Sequence, residues 1–298
     1  MIDLNELNRK FGAAGRIAFR ESAYGLPEMV LVNGHGHCDI SIYGGQILNY
    51  RPIGHAPVLF TSSESAHEAG KRIFGGMPLC WPWFGAAESS ELPRHGFARL
   101  STWEVLSTSY DSSSTEVTLG LMQSEQSLAL WPHHFELVQK ITLSDNLMIE
   151  VSTFNRGEQP FAFSQSIHPY FKVRDINRVT IEGLDGIDYT DAVASTTGVQ
   201  KGPFKISSAT YNSFNAPDHA IAIRDEALRR DILLKYSNMQ HLVVWNPWRE
   251  GAAKIEDFGD NEYTGMITVA PVTPADHAVT LKPGEKFIAS AAVQVLLA

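Results

Sequence analysis

The chain has 298 residues, with 24 Lys and Arg against 33 Asp and Glu, a formal net charge of -9 and a pI near 5.6. That balance excludes nucleic acid as the main partner, since a phosphate backbone needs a basic face, while 44% hydrophobic residues and a mean hydropathy of -0.12 exclude disorder. No run is long and apolar enough to span a bilayer, and the opening MIDLNELNRKF lacks the basic start and apolar run of a signal peptide, so a cytoplasmic protein without membrane contact is expected.

In chain order, Leu4 to Phe11 carries helical spacing, and Asp39 to Ile42 alternates apolar and polar residues. Val117, Leu119 and Leu121 share a face after the DSSST turn at 111 to 115, and Leu147, Ile149 and Val151 follow the turn at 144 to 146, which predicts hairpins. DEALRR at 225 to 230 is a second short helical piece. Strand-like runs cover Ile221 to Ile223, Ile232 to Leu234, His241 to Trp245, Met266 to Val269 and Phe287 to Leu297, punctuated by Gly, Pro, Asn or Asp. Period two dominates. Without a repeat, a linker or a composition break, the pattern predicts an all-β protein, one antiparallel sandwich domain over residues 1–298. An interface strand and a buried strand read alike in sequence, which leaves the oligomeric state open.

The segment 71 to 103, KRIFGGMPLCWPWFGAAESSELPRHGFARLSTW, concentrates the chemistry. Aromatic faces offer flat apolar area to a sugar ring, glycines let backbone approach a ligand, and His95 between Arg94 and Arg99 brings proton transfer and anion binding together. A packed loop with a charged tip has the same composition. Among the eleven histidines, His35 and His37 share a strand face without an evident third ligand, and His133 and His134 precede a strand. Cys38 and Cys80 form no Cys-x-x-Cys pair and read as small core residues, so structural zinc is not expected. His168, in SQSIHPYF, is followed by a proline and two aromatics that would fix its ring, and histidine exchanges protons near neutral pH.

GGMPLCWPWFG, LPRHGFAR, SIHPYF, DEAL and VVWNPW, in that order, resemble the hexose-6-phosphate mutarotases, or glucose-6-phosphate 1-epimerases, a branch of the galactose-mutarotase-like proteins. The resemblance implies a galactose-mutarotase-like antiparallel β-supersandwich, with a sugar or sugar phosphate bound on the concave face of one sheet. It implies that His168 is the acid and that His95 helps hold the sugar. Trp83, Phe84, Trp245 and Arg99 fall at retained positions around the pocket, as does Trp81, and Arg94 is an additional arginine.

Four positions depart from the family pattern. The glutamate base of its V-C-V-E motif is Ala270, an aspartate upstream of DEAL is Tyr211, the arginine of I-R-G-G is Phe74, and the asparagine after HGFAR is Leu100. Asp218, beside His219, is the nearest sequence-local substitute for the missing aspartate, although it needs a seven-residue shift. Glu256, Asp257, Asp260 and Glu262 precede the Ala270 strand and read mainly as a solvated acidic turn. Loss of a positioned general base costs about 10²- to 10⁴-fold, so the expectation is an aldose 1-epimerase-like isomerase with a degenerate site and weak or absent turnover. The alternatives are a sugar-binding protein without catalysis and a different carbohydrate reaction in the same cleft.

Overall fold

The computed structural model describes residues 2–87 and 89–297. Period-two patterning becomes sheet wherever a turn lets neighbouring strands meet. Phe135–Leu143 and Leu147–Asn155 pair antiparallel from Leu143 opposite Leu147 outward, with alternate residues of both buried. They lie within an eight-stranded sheet that runs from Val179–Glu182 through Ile221–Asp225, Arg230–Ser237 and Lys286–Leu297, then through this hairpin to Thr115–Met122 and Glu104–Tyr110.

A second eight-stranded sheet faces the first. Its order is Thr196–Val199, Asp188–Asp191, Thr210–Asn215, His241–Asn246, Met266–Thr273, Gln165–Ile167 and Leu79–Cys80, and Tyr170–Lys172 also pairs with Met266–Thr273. A four-stranded sheet, Ile17–Glu21 to Gln46–Pro52, joins the same core. Phe135, Leu137, Ile149 and Val151 of the first sheet share that core with Phe214, Leu242, Val244, Ile267 and Val269 of the second. Met266–Thr273 is buried on both faces rather than alternating. Ile267 and Val269 point into the sandwich, so Thr268 and Ala270 point out of the opposite face, where a smaller aromatic cluster of Phe60, Phe74, Tyr170, Phe258, Tyr263 and Met266 also lies.

Helix Leu4–Phe11 forms where its spacing predicts, capped by Asp3, whose carboxylate accepts from the Asn5 and Glu6 amides. The DEALRR segment is not helical. It is the turn between Ile221–Asp225 and Arg230–Ser237, and its charged ends are buried. The Asp225 carboxylate accepts from the Leu228 and Arg174 amides, and Arg230 donates to the carbonyls of Ala56, Pro57 and Lys172. Local hydrogen bonding by the aspartate outcompetes helix formation here. Among the described residues no helix is long and apolar enough to cross a membrane.

Candidate active site

Antiparallel neighbours set directly opposite one another project to the same face. Tyr211 faces Trp245, Trp245 faces Thr268, and Thr268 faces Tyr170, which lays one row of side chains across four strands. Ser213, Val243 and Ala270 form the next row. Ser166 pairs with Val272 and Tyr170 with Thr268 on the same strand, so His168, midway between them, stands opposite Ala270. The methyl group of Ala270 is fully buried, and no carboxylate is carried by these two rows.

The His95 loop closes on this face. Gly96 sits at a φ of 72°, and a Cβ there would lie 2.0 Å from the Trp81 carbonyl oxygen, so only glycine fits and the chain turns tightly. His95 itself has a φ of 66°, a conformation disfavoured for a side chain and sustained by the surrounding packing. Its Nδ1 accepts the Gly85 amide at 3.0 Å. The rings of His95 and His168 are 6.1 Å apart, and Phe84 lies 4.9 Å from the first and 5.7 Å from the second. His168 Nδ1 is 3.2 Å from the Ser166 hydroxyl, which donates to the Pro271 carbonyl at 2.9 Å.

Burial, with the Arg99 guanidinium as the next cause, pushes His168 down to about 3. Burial followed by Arg99, His168, Arg94 and Arg72 pushes His95 down to about 2. Both rings are neutral at physiological pH. Arg99 is only 7% exposed, its Nη2 donates to the Arg94 carbonyl at 2.8 Å, and its Nε has no partner. Among the described residues no carboxylate lies within salt-bridge distance of Arg99. Thr268 Oγ1, in the Tyr211 row, is likewise buried and unpartnered. Buried polar groups are ordinarily satisfied, and these two supply unused hydrogen-bonding capacity on the face that carries His168.

Other sequence candidates divide between this face and the scaffold. Trp245 and Tyr211 are half-buried in the first row, and burial raises the Tyr211 phenol. Arg94 is exposed, with Nε 3.2 Å from His95 Nε2. Phe74 is buried at 5.2 Å from Tyr170, 4.9 Å from Phe258 and 6.4 Å from Trp245, filling the corner where the family motif has arginine. Trp83 stands beside Phe97 and donates to the Pro93 carbonyl. Trp81 is a core residue against Phe97, Trp131 and Phe135. Asp218 is fully exposed beside His219, whose Nε2 meets the Gly183 carbonyl at the end of a strand in the other sheet. Its contacts do not reach the His168 face.

The acidic turn is engaged rather than merely solvated. Asp257 accepts from Arg72, and Glu262 accepts from Ser62, Ser63 and the Gly259 amide, tying the turn to the 60s and 70s loops. His37 meets Asp39 at 2.8 Å, and among the described residues no group of His, Cys, Asp or Glu is arranged to hold a metal. Sequence reasoning missed Ser166 and Thr268. For Ser166 the available signal was its place two residues before His168 in an extended run, on the same side of the chain.

Two facing antiparallel sheets with a histidine-bearing outer face define the class, a galactose-mutarotase-like β-sandwich. A galactose mutarotase related enzyme from Lactobacillus acidophilus shares the fold at a TM-score of 0.72 and 14% identity, over 90% of this chain and 97% of that one. The aldose 1-epimerase family model matches residues 27–293, and the chain belongs to that family. Relatives in Cenchrus ciliaris and Escherichia coli (strain K12) carry the name "putative glucose-6-phosphate 1-epimerase"; each is 32% identical. The first alignment covers 88% of this chain and 83% of the relative, the second 77% of each. A solved "putative mutarotase" from Salmonella typhimurium superposes with a TM-score of 0.90 at 25% identity, over 99% of both chains.

Proposed function

We propose that the chain binds a hexose or hexose 6-phosphate on the His168 face and interconverts its α and β anomers slowly. The observation that carries this reading is the approach of two neutral histidines, their rings 6.1 Å apart, on a face that also carries the buried Arg99. Ring opening moves a proton from the hydroxyl on C1 to the ring oxygen, and closure on the other face reverses it, so proton-handling groups suffice and no cofactor is needed. In this reading His168 and His95 act on the anomeric centre, Arg99 and the exposed Arg94 attract an anionic substituent, and Phe84, Trp245 and Tyr211 supply contact area.

Ala270 favours a second reading, a sugar-binding protein with no turnover, because the residue facing His168 offers no carboxylate. Exchange NMR of glucose-6-phosphate and of free aldoses, together with calorimetry on the same sugars, separates the two. Enhanced exchange supports the epimerase reading, binding without exchange supports the second, and neither exchange nor binding rejects both.

A further inference from the structure

Ser166 has one hydroxyl hydrogen, and the Pro271 carbonyl takes it at 2.9 Å. Toward His168 Nδ1, 3.2 Å away, the hydroxyl can therefore only accept, so Nδ1 carries a hydrogen. A neutral imidazole has a single N–H, which leaves His168 Nε2 bare. His95 has the complementary form. The Gly85 amide donates to its Nδ1 at 3.0 Å, which puts the hydrogen on Nε2. Arg94 Nε also directs its hydrogen at that Nε2 from 3.2 Å, and since a neutral ring accepts at one nitrogen only, the exposed arginine side chain is the contact that gives way, while the backbone amide of Gly85 is fixed. The face thus presents one bare imidazole nitrogen and one imidazole N–H, on rings 6.1 Å apart, with Ala270 opposite the bare one.

We propose that His168 is the proton-accepting group of this chain, held in that form by Ser166 as a positioning residue, and that it shuttles one proton between the two oxygens on the anomeric carbon without a carboxylate. This rests on the aldose reading and reverses the acid role that the family resemblance implies for His168. Nε2 takes the proton of the C1 hydroxyl as the C1–O1 bond becomes a carbonyl. The C1–O5 bond breaks with its electron pair going to O5, and the imidazolium returns the same proton to O5, leaving an aldehyde and a C5 hydroxyl. After rotation about C1–C2 the steps run backward on the other face. His95 Nε2–H donates a hydrogen bond to a sugar oxygen throughout and is not consumed.

The test is nitrogen NMR of the full chain at neutral pH, in which a bare and a protonated imidazole nitrogen are well separated, paired with anomer-exchange kinetics. Expected for wild type is a protonated Nδ1 and a bare Nε2 at His168. Ser166→Ala, which removes the acceptor, should admit the Nε2–H form and lower kcat roughly 10-fold with KM kept, the scale of one neutral hydrogen bond. Ser166→Thr, which keeps the hydroxyl, should restore both. A protonated Nε2 in wild type overturns the proposal, and that spectrum decides the assignment even where a buried variant fails to fold. A folded Ser166→Ala that keeps the pure Nδ1–H form overturns the role of Ser166. The expected tautomer with no exchange of any aldose overturns the shuttle through failure of the aldose reading, whereas exchange with the opposite tautomer overturns the shuttle alone.

Discussion

Restoring a carboxylate opposite His168 probes the site at its barest point. Ala270 is fully buried, paired with Val243 on one side and set opposite His168 on the other by the register of Ser166 with Val272 and of Tyr170 with Thr268. Ala270→Glu adds volume to a closed wall, which costs about 1 to 3 kcal/mol, within the roughly 5 to 15 kcal/mol of a typical native protein. The new carboxylate would enter the field of the Arg99 guanidinium, the nearby positive charge felt by His168, and this offsets part of its burial. A correctly placed general base is worth about 10²- to 10⁴-fold, so anomer exchange of glucose-6-phosphate should rise by that order. The carboxylate should also raise the pKa of His168 toward its ordinary value, since an opposite charge favours the imidazolium. The assay is exchange NMR between anomers, with a thermal melt to establish folding. A folded Ala270→Glu whose exchange rate and histidine titration both match wild type would refute the placement of Ala270 opposite His168.

Arg99→Met should raise KM for a phosphorylated sugar about 10- to 100-fold, the scale of one charge-assisted hydrogen bond, and leave the free sugar nearly unchanged; equal losses on both would contradict an anion-binding Arg99. Phe74→Ala removes a ring packed against Tyr170, Phe258 and Trp245 and should cost about 3 to 5 kcal/mol, lowering Tm by about 5 to 8 °C in a melt, whereas an unchanged Tm would deny the packing. His95 and His168 are depressed in the folded state, so the unfolded chain binds more protons below about pH 6.5 and stability falls with falling pH. The slope is about 1.4 kcal/mol per pH unit for each histidine, and it continues until the folded values near 2 and 3 are approached. Urea midpoints between pH 6.5 and 5 should drift less in His168→Gln than in wild type; equal drift would count against a depressed His168.

The periodic elements were legible because their physics is local. Helix Leu4–Phe11 shows its spacing and its Asp3 cap, and the hairpin around 144 to 146 shows alternating faces on either side of a turn. Of the strands that carry the site, the runs at His241 to Trp245 and Met266 to Val269 were legible and the shortest strands were not. Leu79–Cys80, Gln165–Ile167 and Tyr170–Lys172 hold two or three residues each, too few for any period, and they are strands only because Met266–Thr273 and its neighbours supply partners. Trp81 and Trp83 look alike in the sequence, yet one is core against Trp131 and Phe135 and the other is half-buried beside Phe97, a difference set by contacts distant in the chain. DEALRR looks helical from its residue types, but Asp225 and Arg230 find backbone partners far away. His95, His168 and Arg99 are singled out by motif and chemistry in the sequence, and the structure brings them near one another. The tautomers were not legible, since they depend on which carbonyl takes the Ser166 hydrogen and which amide reaches His95.

The most direct test of the account is exchange NMR of anomeric interconversion with glucose-6-phosphate and a panel of free aldoses, comparing wild type with His168→Ala. Exchange above the uncatalysed rate is expected in wild type, and its loss in a folded His168→Ala. Wild-type exchange that survives His168→Ala would contradict the account.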